Sequence, residues 1–234
     1  QEKFGSSKLR ERIEPWLTSL CQSEHLSVLL GSGLSNAVHR RATGTGLPGM
    51  AKADFGAFDP MIQAEASRSA RVCGRSEGNI EDQLRCANEL LRGFDIYGVQ
   101  GDETSNKNAA ALRASIRSVL DEFAKSVYQG ERGIATADEC KRTDAFNYLV
   151  SFLMSFASRS GTRDRLHIFT TNYDRGIEAG ADAAGMHLLD RFVGSVSPVF
   201  RSSRLDLDIH YNPPGIRGEP RYLEGVARFT KLHG

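Results

Sequence analysis

The segment Leu26–Asn36 constrains the fold more than any other, because a short apolar run ends in two glycines and the chain restarts in polar residues. The run Leu26–Leu30 has the length and composition of a strand covered on both faces, as in a parallel α/β sheet. The residues after the glycines, Leu34–Arg40, can begin a helix. The sequence therefore predicts a central buried strand, a tight turn and a helix.

This turn has the features of a phosphate cradle. Gly31 and Gly33 lack the Cβ atoms that would keep a ligand from the backbone amides. The N-terminus of the following helix favours anions. The pattern departs from the usual dinucleotide fingerprint, because Asn36 stands where a third glycine or alanine is expected. A plain strand-to-helix turn without a ligand is the alternative interpretation.

Charge and hydropathy exclude several classes of partner. The 234 residues include 30 basic and 29 acidic side chains, so the net charge of +1 gives no overall attraction to nucleic acid or anionic lipid. The longest apolar stretch, Leu149–Ala157, is too short to span a bilayer, and the start of the chain has no signal-peptide core. We expect a cytoplasmic protein with no direct nucleic-acid binding and no membrane association.

The cysteines do not form a metal-binding or disulfide pattern, since no two of them are spaced as Cys-x-x-Cys. We therefore expect no zinc and four reduced thiols in a reducing compartment. These residues are Cys21, Cys73, Cys86 and Cys140.

Helical periodicity dominates the first two thirds of the chain. An N-terminal helix is predicted over residues 8–22, with a kink or break at Pro15. Apolar stripes predict helices around residues 80–91 and 112–127, and a third helix over Asp144–Ser158 that Asp144 caps. The polar, glycine-containing stretches between these helices are predicted connections: residues 93–106 and 130–142.

Strand character returns near residue 166. Strands are predicted at Leu166–Thr171, Met186–Leu189, Leu205–Tyr211 and Val226–Leu232, and a helix at Gly176–Ala184. The coarse plan is an α/β core interrupted by a helical insertion.

Polar residues follow three of the predicted strands, and in an open parallel sheet such strand ends form one ligand-binding crevice. Asn172 offers an amide donor and a carbonyl acceptor, which can hold a ribose hydroxyl or orient a water molecule. His233 can act as a general base near neutral pH. The alternatives are structural, because Asn172 and Asp174 are favoured helix caps and most histidines have other roles.

The chain resembles the sirtuin-like domains of prokaryotic antiviral defence systems. Five matching segments carry the resemblance: Gly31-Ser-Gly-Leu-Ser35, Thr171-Asn-Tyr-Asp174, Lys231-Leu-His-Gly234, Asn79-Ile-Glu81 with Leu84, and Gly46-Leu-Pro48. It implies an α/β, Rossmann-like parallel sheet with a large helical insertion. Within a single domain over residues 1–234, the implied parts are a core at about 24–40 and 160–234, an insertion at about 55–160 and the helix at 8–22. The sheet is expected to be incomplete at its C-terminal side.

The resemblance also implies roles for individual residues and NAD⁺ as the substrate. Asn172 and His233 are the implied catalytic residues, with His233 as the base. The implied cofactor-binding residues are Gly31, Ser32, Gly33 and Ser35 beside the phosphates, and Thr171 and Asp174 in the segment that contains Asn172, beside the nicotinamide ribose.

Departures from the deacylating sirtuins indicate which branch the chain is similar to. Those enzymes carry a zinc ribbon of paired cysteines, which this chain lacks, and Gly49 and Met50 follow Pro48 where they have Asp-Phe-Arg. The defence branch hydrolyses NAD⁺ to nicotinamide and ADP-ribose, which depletes NAD⁺ in abortive infection. The implied partners are a second copy of the chain and a HerA-type ATPase or prokaryotic Argonaute. A protein deacylase and a catalytically silent module that binds NAD⁺ or ADP-ribose are the alternatives.

Overall fold

The computed structural model describes residues 6–47, 53–156, 164–194, 197, 199–202, 207–212 and 221–232. The chain divides into two compact units, of which one comprises Gln1–Gly46 with Glu131–Gly234 and the other Leu47–Gly130. The first unit holds a four-stranded parallel sheet with helices, and the second is helical. The predicted α/β class is therefore confirmed.

Seven α-helices and eight strands are assigned in the described ranges. The helices are α1 (Ser6–Cys21), α2 (Ser32–Thr43), α3 (Asp59–Val72), α4 (Ile80–Val99), α5 (Glu103–Ala135), α6 (Glu139–Met154) and α7 (Gly176–Ala183). The strands are β1 (Ser27–Leu30), β2 (Leu166–Thr170), β3 (His187–Leu189), β4 (Phe192–Val193), β5 (Val199–Phe200), β6 (His210–Tyr211), β7 (Arg221–Tyr222) and β8 (Val226–Lys231).

The main sheet has the strand order β1-β2-β8-β3, and all three pairings are parallel. Its register aligns Leu29 with Phe169 and Phe169 with Thr230. Strands β4 and β5 form an antiparallel pair, and so do β6 and β7. Because every strand of the main sheet runs in the same direction, the ends of β1, β2, β8 and β3 lie along one edge.

The prediction that the first strand is central and buried on both faces is wrong for the sheet described here. Strand β1 lies at its edge, and Leu29 keeps 68% of its surface exposed, whereas Leu30 is buried. The apolar composition of a four-residue strand does not determine its neighbours, because strand order depends on pairing with segments more than a hundred residues away.

One face of the sheet forms the core of the first unit. Leu30, Ile168 and Phe229 project from three strands and pack in a cluster with Leu153 of α6 and Ile177 of α7. Each such side chain contributes about 1.5–3 kcal/mol when it is fully buried. This packing holds the strand ends and the helices that follow β1 and β2 in one layered arrangement.

The second unit has its own core, in which Phe55, Ile62, Leu112 and Val119 are buried. The predicted stripes at residues 80–91 and 112–127 lie in α4 and α5, so these two helices are confirmed. Asn79 caps α4, since its side chain accepts a hydrogen bond from the N–H of the third helical residue and completes a capping box.

Three predicted boundaries are wrong. Helices α4 and α5 run through most of the predicted connections, because their polar residues lie on solvent faces that helices tolerate. Helix α6 begins at Glu139 and is capped by Asp138, while Asp144 lies inside it and forms an ion pair of 2.6 Å with Arg41. Helix α1 continues through Pro15, so the predicted break is wrong, while the predicted kink stays a prediction. No helix in the described part of the chain is long and apolar enough to cross a membrane.

Two other predictions fall partly outside the described residues. Of the strand predicted over Leu205–Tyr211, residues 205–206 are not described, and strand geometry is found at His210–Tyr211. The predicted helix over Asp144–Ser158 ends at Met154 in the structure, and residues 157–158 lie outside the described ranges.

Candidate functional site

The turn between β1 and α2 presents a helix N-terminus that no described side chain caps. Helix α2 begins at Ser32, and Gly31 precedes it in an extended conformation with no side-chain cap. The first turn contains no acidic residue. Among the described residues no acceptor is found for the N–H groups of Ser32 and Gly33, whereas Leu34 N donates to Gly31 O at 3.1 Å. These donors and the helix dipole favour an anion.

The glycines of this turn are not required by backbone strain. Neither Gly31 nor Gly33 has a positive φ. A Cβ atom on Gly33 would meet nothing within 4 Å, and one on Gly31 would lie 3.8 Å from Oγ1 of Thr171, an ordinary contact. Since side chains at both positions are compatible with the fold, the absence of side chains keeps the space above the turn open.

Asn172 joins the end of β2 to this turn. Its Nδ2 donates to Gly31 O at 3.0 Å and to Ser35 Oγ at 2.8 Å. The residue is 6% exposed. Because the carbonyl of Gly31 can only accept, the NH₂ side of the amide must face the turn. Both amide hydrogens are then used, and within the described residues Oδ1 has no hydrogen-bond partner and is left to accept from a ligand.

Thr170, which the sequence prediction missed, connects the ends of β1, β2 and β8 through hydrogen bonds. Its hydroxyl is fully buried, donates to Leu30 O at 2.9 Å and accepts from Asn172 N at 3.0 Å. Its carbonyl accepts from Leu232 N at 2.9 Å, which brings in the end of β8. The alternation of a strand gives the signal that could have found it, because it places Thr170 inward and the predicted site residue Thr171 outward.

Asp174 takes part in a local turn. Its Oδ1 accepts from Gly176 N at 2.9 Å, two residues ahead, where α7 begins. The contact is not a helix cap, because Arg175 is the N-cap residue of α7 and no side chain caps that helix end, so the alternative role of Asp174 as a cap is not observed. Its carbonyl oxygen accepts from Lys231 Nζ at 2.9 Å, and Lys231 also pairs with Glu178 Oε1 at 2.9 Å. Lys231 therefore supports the segment that follows Asn172 from the adjacent strand.

A second contact holds this segment from the end of α5. Glu131 accepts from the N–H and the guanidinium of Arg175, with a shortest distance of 2.6 Å. The hydrogen bonds from Arg175 lower the pKa of the Glu131 carboxyl although its partial burial acts in the opposite direction. Glu131 was not predicted, since nothing in the sequence relates it to residue 175.

The structure thus brings Gly31, Ser35, Asn172 and Thr171 together at one edge of the sheet, with Ser32 and Gly33 on the same turn. His233, Pro48, Gly49 and Met50 lie outside the described residues. Within the described ranges, no group of three or more His, Cys, Asp or Glu side chains is arranged to hold a metal ion.

Comparison with protein-family models gives no match, and comparison with curated proteins gives none. The function is therefore inferred from the site itself.

Proposed function

We propose that this chain is an NAD⁺ glycohydrolase of the sirtuin-like type, in which the parallel sheet is a Rossmann-like core. The observation that carries the proposal is the contact of Asn172 with Gly31 and Ser35. Among the described residues, neither the side-chain carbonyl oxygen of this asparagine nor the first N–H groups of α2 have a partner, and the contact brings these groups together. A polar acceptor beside an anion site suits a ligand that contains a ribose and a diphosphate.

The residues present fit the diphosphate of NAD⁺. The first turn of α2 has no carboxylate that would repel it. Gly33 leaves the approach to the N–H groups open. The Ser35 hydroxyl accepts from Asn172, so its own hydrogen is available to donate to a phosphate oxygen.

The proposed reaction breaks the bond between C1′ of the ribose and the nicotinamide nitrogen. Nicotinamide leaves as a neutral molecule, so the step needs little acid catalysis and depends on stabilising positive charge at C1′. Water attacks C1′ and loses a proton, and the products are nicotinamide, ADP-ribose and H⁺. Asn172 Oδ1 orients the water or a ribose hydroxyl, and His233 accepts the proton.

The test measures nicotinamide release from NAD⁺ by the parent chain and by Asn172→Ala and His233→Ala. Asn88→Ala is the matched control, because Asn88 is an exposed asparagine on α4. We expect release by the parent and the control, and a loss of at least about a hundredfold in both site variants, as is typical when a group that acts in the transition state is removed. Thermal melts establish that the variants are folded.

Other outcomes would assign a different function. NAD⁺ binding without nicotinamide release would identify a binding module, and unchanged turnover in folded Asn172→Ala would refute the role of this side chain. Release of acylated ADP-ribose from an acyl-lysine peptide would identify a deacylase. The proposal extends to a homo-oligomer that acts with a HerA-type ATPase or a prokaryotic Argonaute, which co-purification of the full chain tests.

A further inference from the structure

A largely buried cation lies at the end of β8, on the face of the sheet that forms the core. Strand alternation places Ala227, Phe229 and Lys231 on this face, and the first two are buried apolar residues of the core cluster. The side chain of Lys231 keeps only 21% of its surface exposed. A lysine is rarely this buried unless it is paired, because the loss of hydration of its ammonium group is costly. An apolar side chain would satisfy packing at this position, so the reason for a lysine lies in what its ammonium group contacts.

The ammonium group of Lys231 holds the backbone that directly follows Asn172. Its Nζ donates to Asp174 O at 2.9 Å, lies 3.4 Å from Tyr173 O and pairs with Glu178 Oε1 at 2.9 Å. An ammonium group has three N–H donors, and these three oxygens match their number. One side chain thus holds two consecutive carbonyl groups next to the asparagine of the candidate site.

Lys231 also connects this backbone to the neighbouring strand. It pairs in register with Thr170, whose hydroxyl accepts a hydrogen bond from Asn172 N. The next residue, Leu232, donates its N–H to Thr170 O at 2.9 Å. In the sequence, His233 follows Lys231 by two positions. A side chain on the strand that leads to the proposed base therefore holds the segment that carries Asn172.

Two carboxylates offset the charge of Lys231. Glu178 pairs with it directly. The pKa of the Glu131 carboxyl is lowered first by the hydrogen bonds from Arg175, and the charge of Lys231 lowers it further. Because the proposed reaction develops positive charge at C1′, an ammonium group without such carboxylates would oppose it. The arrangement provides the hydrogen bonds of a cation while its charge is largely neutralised.

We propose that Lys231 is a positioning residue, which keeps Asn172 in the orientation required for hydrolysis of NAD⁺ by holding the carbonyl groups of Tyr173 and Asp174. This inference rests on the proposed function. In this role Lys231 does not contact the substrate, so it affects the rate of the chemical step rather than the affinity for NAD⁺. A displacement of about 1 Å at a positioned group can lower the rate on the order of a hundredfold.

The experiment compares Lys231→Met with the parent chain in two assays. Methionine keeps an unbranched apolar stem but has no hydrogen-bond donor. In nicotinamide release, we expect kcat to fall about 10- to 100-fold and KM to change by less than about threefold. In hydrogen exchange, we expect the amides of Arg175 and Gly176 to exchange at least about tenfold faster, because both N–H groups are bonded within the segment that Lys231 holds.

Two further variants control for loss of charge and for folding. Lys125→Met replaces an exposed lysine on α5 and should behave like the parent in both assays. Lys231→Met leaves Glu178 without its partner, so Lys231→Met/Glu178→Gln removes the unpaired charge and serves in its place if the single variant does not fold. We expect the double variant to regain thermal stability but not kcat. Full recovery of kcat would overturn the proposal, because the loss would then come from the unpaired carboxylate and not from the carbonyl contacts.

The two assays distinguish failure of this inference from failure of the proposed function. A folded parent that releases no nicotinamide would refute the proposed function, and hydrogen exchange would still show whether Lys231 orders the segment after Asn172. An active parent with unchanged kcat and unchanged exchange in Lys231→Met would refute the positioning role alone. A raised KM at constant kcat would also overturn it, since Lys231 would then contribute to binding of NAD⁺.

Discussion

Replacement of Gly33 by alanine separates ligand binding from folding at the β1-α2 turn. Gly33 lies in the first turn of α2 without a positive φ, and an added Cβ would point into open space. Alanine is favoured over glycine in a helix by about 0.5–1 kcal/mol. For a chain of 234 residues, a gain of 1 kcal/mol raises the melting temperature by about 2–4 °C. We therefore expect Gly33→Ala to melt about 1–4 °C higher than the parent.

The same methyl group should impair the proposed activity. It would stand between a diphosphate and the N–H groups of Ser32 and Gly33, and lengthen at least one hydrogen bond to a charged oxygen. Such a bond contributes about 1.5–3 kcal/mol, so kcat/KM for nicotinamide release should fall by about 10- to 150-fold. The assay compares initial rates of nicotinamide release with thermal melts of the same preparations.

Gly93→Ala is the matched control for this variant. Gly93 lies inside α4, has no positive φ, and a Cβ there would also meet nothing within 4 Å. It should give a similar rise in melting temperature with unchanged activity. If Gly33→Ala gained stability and kept full activity, the phosphates would not lie over this turn. A marked loss of stability would show that the space above Gly33 is not open.

Three further predictions concern caps and titratable groups. Asp138→Ala should destabilise the chain by about 1 kcal/mol in urea unfolding, whereas Asp144→Ala should cost about 0.5 kcal/mol or less because its ion pair is exposed; the reverse order would refute the cap assignment. The pKa of Glu131 is lowered in the folded chain, so the stability it provides is present above its ordinary value of 4.5 and is lost as pH falls through the lowered value. Glu131→Gln should therefore remove that loss of stability at low pH. The change in the free energy of unfolding should be less than about 1 kcal/mol, because Arg175 is largely exposed. An unchanged pH profile of the melting temperature would contradict this. Burial, with nearby Arg228 and Arg191, lowers the pKa of His167, so the parent should lose stability as pH falls below 6.5. The melting temperature of His167→Gln should depend less on pH in that range. An equally steep dependence in the variant would contradict the role of His167.

Local sequence patterns predicted which segments are helices and strands better than they predicted which strands pair in the sheet. The apolar stripes of α4 and α5 repeat over several turns, so the helix period is well determined. The place of β1 at the edge of the sheet depends on pairing with β2, and no pattern within Ser27–Leu30 encodes it. The start of α6 was misplaced because Asp144 directly precedes the apolar residues Ala145 and Phe146, whereas the turn that follows the true cap, Asp138, is polar and largely exposed.

The residues of the candidate site could be predicted from the sequence, but the contacts that hold them in place could not. The glycine turn and Asn172 follow strand ends, and strand direction alone predicts that such residues meet. The supporting contacts of Thr170 and Glu131 join residues 140 and 44 positions apart, and no spacing rule relates them. The side of Asn172 that faces the turn also becomes evident only when the Gly31 carbonyl is placed against it.

The hydrogen bonds of Asn172 have a consequence for the entropy of binding. With Nδ2 held by two oxygens and Thr170 beneath it, the turn is ordered before any ligand arrives. A preorganised turn loses little conformational freedom on association, so more of the contact energy appears as affinity. Asn172→Asp would place a carboxylate oxygen against the Gly31 carbonyl, and the repulsion between the two oxygens would push the turn away from the end of β2. This change of one nitrogen to oxygen would thus weaken binding even if every ligand contact were kept, because the turn of the free protein would be less ordered and binding would have to order it.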